Sequence, residues 1–100
     1  MVLINWTNRA KDDLRDIAEY ISKDSYLYAK RQVLKIRQRT EVLKSKNYIN
    51  IGHKVNGVDD DNIRQILEGN YRIIYRIVSQ NRIDILTIHH SYRDLQNLKL

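Results

Sequence analysis

The sequence predicts an α+β domain: an N-terminal strand, then an αα-hairpin packed on one face of a small, twisted, mainly antiparallel sheet. Three observations carry that prediction. Apolar residues recur with a period of about 3.6 through residues 8–45 and with a period of about 2 through residues 62–89, and short turn sequences divide each region. At 100 residues the chain has room for a single domain, 1–100, and with no Cys it has neither a disulfide framework nor a thiol nucleophile.

Each element follows from its residues. VLINW, residues 2–6, is branched and aromatic and reads as a strand ending at Thr7, a favourable helix N-cap. Ala10, Leu14, Ile17, Ala18 and Ile21 then recur at helical spacing, with Asp12, Asp13 and Asp16 in the early turns, which predicts a helix over 8–22. SKDS interrupts the pattern and supplies caps. Ala29, Val33, Ile36, Thr40 and Leu43 predict a second helix over 26–45. Residues 50–62 hold two of the three glycines and three consecutive aspartates and read as a loop or hairpin. NIRQIL, YRIIYRIV and RIDILTIH predict strands over 62–67, 71–78 and 82–89, joined by EGN and SQN as hairpin turns, with a tail at 92–100.

Charge narrows the function. Eighteen Lys and Arg against twelve Asp and Glu give +6, a surplus that favours an acidic partner. Seven basic residues lie between Lys30 and Lys46, against Glu41 alone, and among them Lys30, Arg31, Lys35, Arg37 and Arg39 fit either a solvated helix face or a docking face. Arg64, Arg72 and Arg76 sit inside β-runs, where a charge must reach water or meet an anion, so they are candidate binding residues. Strand parity places Arg72 and Arg76 together, opposite Tyr71 and Tyr75. Trp6 and the strand tyrosines read as core.

No GxGxxG, P-loop, HExxH or nucleophile elbow is present. His53, His89 and His90 are the only histidines, and adjacent strand residues point to opposite faces, so no metal site is expected. No apolar run approaches the roughly 18 residues of a membrane span, and a cytoplasmic protein is expected.

IRQILEGNYRIIYRI followed by ILTIHHSYRDL, after a strand and a helix pair, resembles the RelE/ParE superfamily of bacterial toxin–antitoxin toxins, most closely the ParE or plasmid-stabilisation branch. The resemblance runs from INWTNRAKDDL to the last strand; the family's frequent proline before the sheet is missing from KSKNYINIG. It implies a growth-arresting toxin held by an acidic, partly disordered antitoxin, with operator DNA reached only through that complex and no cofactor. A ParE-like member inhibits DNA gyrase; the alternative is a RelE-like, ribosome-dependent mRNA endonuclease. In that alternative Arg72 matches the family arginine that follows a tyrosine and would hold the scissile phosphate, while His89, His90, Tyr92 and Arg93 would supply the remaining roles. The lysines expected on the preceding strand are absent, leaving Arg64.

Overall fold

The computed structural model describes residues 2–45 and 52–90; Lys46, Tyr92, Arg93 and the predicted tail lie outside the described residues. Strand β1 (Leu3–Trp6) leads through Thr7 into helix α1 (Asn8–Ser22). The Thr7 hydroxyl accepts the Ala10 N–H at 3.1 Å, satisfying a donor the first turn cannot. Ser25 does the same for α2 (Tyr26–Glu41), accepting from the Tyr28 N–H at 3.1 Å. The second helix is shorter than predicted. It stops at Glu41 and tightens into a 3-10 turn, Val42–Lys44, that leaves Leu43 fully buried.

The remaining chain supplies β2 (His53–Lys54), β3 (Ile63–Glu68), β4 (Tyr71–Ser79) and β5 (Arg82–His90). The stretch expected to be loop or hairpin thus contributes a two-residue strand, pairing with Gln65 and Arg64 of β3. Sheet order is β1-β5-β4-β3-β2, with β1 parallel to β5 and every other neighbour antiparallel. Gly69 and Asn70 connect the paired residues Glu68 and Tyr71, and Gly69 takes φ 57°, the left-handed conformation that a two-residue hairpin turn requires. No helix among the described residues is long and apolar enough to cross a membrane.

Both helices cover the same side of the sheet. Ala10, Leu14 and Ile36 meet Ile66, Ile73, Tyr75, Ile83, Ile85 and Ile88 in the main core, together with Val2 and Leu43. The far side of the sheet is partly covered as well. Ile74, between two main-core residues of β4, points the other way and joins Val55 and Ile63 in a second cluster that Val58 and Leu86 flank. Apolar side chains from the segment before β3 therefore cover part of the face expected to be basic.

Candidate functional site

One extra residue in β5 decides which polar groups meet. Ile83 and Ile85 lie in the main core, and strict alternation would send Thr87 and His89 to the same side. The register slips instead: Tyr75 pairs with Ile85 and Ile74 with Thr87, leaving Leu86 as a bulge that turns into the far-side cluster. Beyond it Ile88 returns to the main core. His89 then lies opposite Arg72 on the far face and His90 opposite Tyr71 on the helix face. The His90 and Tyr71 rings meet edge-on, centroids 5.3 Å apart and planes at 88°.

The bulge is held from the start of the chain. Pairing of β1 with β5 ends at Trp6 and Ile85, and the next turn of chain takes over that edge. The Thr7 hydroxyl donates to the Ile85 carbonyl at 2.8 Å and lies 3.1 Å from that of Leu86. One α-helical stretch further, the Asp13 carboxylate accepts the Ile88 N–H at 3.0 Å and the Thr87 hydroxyl. Backbone groups that no strand satisfies are thus bonded on both sides of Leu86.

The strand arginines do not form one patch. Arg72 is flanked by Leu67 and His89, and its Nη1 donates to Gln65 Oε1 at 3.4 Å, while its Nε is buried with no hydrogen-bond partner among the described residues. Arg76 shares that face but is exposed, four residues along the strand with Ile74 between them. Arg64 pairs with Tyr75 and so faces the helices, its Nη1 donating to the Gly52 carbonyl at 3.0 Å. Beside it the buried Tyr75 Oη accepts the Gly52 N–H at 3.0 Å. Burial pushes the Tyr75 phenol above its ordinary value, opposed by that N–H and by the Arg64 and Arg39 cations.

The α2 cations also divide, because residues nine apart on a helix fall on opposite sides. Arg39 turns to the sheet, its Nε donating to the Leu67 carbonyl at 3.0 Å. Lys35 is exposed and away from its neighbours' groove. Lys30, Arg31 and Arg37 instead line a groove between α1 and α2 of about 570 Å³, floored by Ala18, Ala29, Val33 and Leu34. It shares Ala18, Val33 and Arg37 with a second hollow of about 340 Å³ lined by Trp6, Lys11, Leu14 and Arg15. The two make one apolar trough with a basic rim, and Lys30 also stands 5.5 Å above the Tyr26 ring.

Sequence reading missed the α1 half of this trough. Its signal was available: Lys11, Arg15, Ala18 and Ser22 recur at helical spacing beside the core stripe, cations leading to small residues.

A family model described as the ParE toxin of type II toxin–antitoxin system, parDE, matches residues 4–95. No curated protein matches the chain. Among solved structures, the chain is similar to one from a chromosomal ParDE toxin–antitoxin system of P. aeruginosa, with TM-score 0.72 and 22 % identity over 90 % of this chain and 96 % of that one. It is also similar to one in the RelBE2 toxin–antitoxin complex of Mycobacterium tuberculosis, with TM-score 0.51 and 19 % identity over 89 % and 96 %. At such identities both likenesses concern the fold.

Proposed function

From its membership of the ParE toxin family of type II toxin–antitoxin systems, to which this chain belongs, we propose that it arrests bacterial growth from the cytoplasm by inhibiting DNA gyrase, and that a cognate antitoxin neutralises it. The observation that carries the choice of target is the division of the polar end of β5. Metal-independent RNA cleavage needs a base, an acid and cations converging on one phosphate. Here Arg72 and His89 share a face, His90 sits on the other against Tyr71, and β3 offers no lysine. Holding a protein target needs no such convergence.

A supercoiling assay tests this directly: purified toxin, freed from antitoxin, is added to gyrase and relaxed plasmid. Inhibition or trapped double-strand breaks are expected. Unimpaired supercoiling at excess toxin that still arrests cells would overturn the reading.

The α1/α2 trough is the surface we assign to the antitoxin. An apolar floor with a basic rim complements an acidic amphipathic helix, and a segment that orders on binding can cover such an extended surface. Its affinity for the toxin should fall steeply with salt, because the rim charges are exposed.

A second reading, ribosome-dependent mRNA cleavage, has one observation in its favour. Among the described residues the buried Arg72 Nε lacks a partner beside His89, which suits a cation waiting for a phosphate oxygen. Incubation with programmed ribosomes, followed by mapping of mRNA ends, tests it; intact message would dispose of it.

A further inference from the structure

The trough attracts acidic helices without telling them apart, since its cations reach toward any carboxylate. Glu19 is the exception. It is the one acidic side chain among those lining the trough, it is exposed on the rim, and its carboxylate makes no hydrogen bond or ion pair among the described residues. The cations one helical turn to either side leave it unneutralised: Arg15 pairs with Asp12 at 3.1 Å, and Lys23 forms no pair with it. Opposite, across the groove, stand Lys30, Arg31 and Arg37.

We propose that Glu19 is a specificity-determining residue for the antitoxin, whose docked helix places a lysine, arginine or uncharged residue over Glu19 and acidic residues over the remaining rim. This rests on the antitoxin reading above and adds a selection rule to it. An acidic helix bound in the wrong register, or one from an unrelated module, brings a carboxylate against Glu19 while losing water from both, and like charges so placed repel. The rim cations supply attraction; Glu19 supplies rejection.

The test uses the full chain and a displayed library of acidic amphipathic helices, selected in parallel on the wild type and on Glu19→Lys. Glu19→Gln provides a second, milder variant, and Leu34→Asp blocks the groove floor. Wild-type binders are expected to carry a basic or uncharged residue at one position where Glu19→Lys binders carry an acid. Exchanging that residue for Glu should weaken binding to the wild type about fivefold and not to Glu19→Gln. Binders that Leu34→Asp weakens but whose composition is the same on wild type and Glu19→Lys would overturn the role of Glu19 while leaving the groove reading intact. Binders indifferent to Leu34→Asp would remove the groove reading, and the proposal with it.

Discussion

Asp13 of α1 accepts the backbone N–H of Ile88 in β5 at 3.0 Å, a bond between residues 75 apart in the chain. It also takes the Thr87 hydroxyl, so one carboxylate serves two donors where β1 has already ended. Replacing it by Ala leaves both without an acceptor, and Asp13→Ala is expected to cost about 1–3 kcal/mol in urea unfolding. Asp13→Asn keeps an acceptor oxygen and should cost less. Equal losses in the two variants would mean that the negative charge, rather than the hydrogen bonds, holds the strand.

Thr7 and Asp13 bond on either side of Leu86, and they should be energetically coupled. Thr7→Ala loses a cap and a strand contact together, at a cost of roughly 1–2 kcal/mol. A double-mutant cycle with Asp13→Ala is expected to depart from additivity by about 0.5 kcal/mol or more. Strict additivity would indicate that the two anchors hold the chain independently.

Tyr75 predicts behaviour at high pH. Its phenol ionises above the ordinary tyrosine value of 10.0 when folded, so the stabilisation it gives is fully present below pH 10.0 and is lost as pH rises through the folded pKa. Tyr75→Phe removes this titration and leaves the Gly52 N–H without its acceptor. The variant should be less stable at neutral pH, by about 1–2 kcal/mol, yet lose stability less steeply above pH 10.0. Parallel pH profiles for the two proteins would contradict the shielding of the phenol.

Gly52 allows that bond. A methyl group there would stand 2.8 Å from the Gln65 carbonyl oxygen and closer still to Tyr75 Oη. Gly52→Ala is therefore expected to destabilise by about 1–3 kcal/mol through overpacking against backbone. Thermal unfolding at neutral pH measures this, and a melting temperature equal to wild type would show that β2 can shift at little cost.

The two histidines should separate by function. If message is cleaved at all, Arg72→Ala and His89→Ala are expected to reduce it at least a hundredfold, in line with the loss of an acid–base or phosphate-holding group. His90→Ala, on the opposite face, should act mainly on stability through its contact with Tyr71. Cleavage lost in His90→Ala but retained in His89→Ala would invert this assignment.

The order of elements and most of the core were legible in the amino-acid pattern alone. Period, caps and turn residues are local properties, which is why Thr7, Ser25 and Gly69 announced their positions before any contact was known. The sequence also displayed the basic surplus and the family motifs. It could not sort the cations, since Arg39 and Lys30 differ only in which way the docked helix is rotated, and that depends on Ile36 and Val33 packing against the sheet. Nor could it choose between His89 and His90. Side chains on a strand alternate, so one inserted residue inverts every position after it, and whether β5 bulges at Leu86 depends on a register set by β4 and on bonds from Thr7 and Asp13 at the other end of the chain. That long-range pairing, absent from any local pattern, is what puts His89 beside Arg72 and turns His90 away.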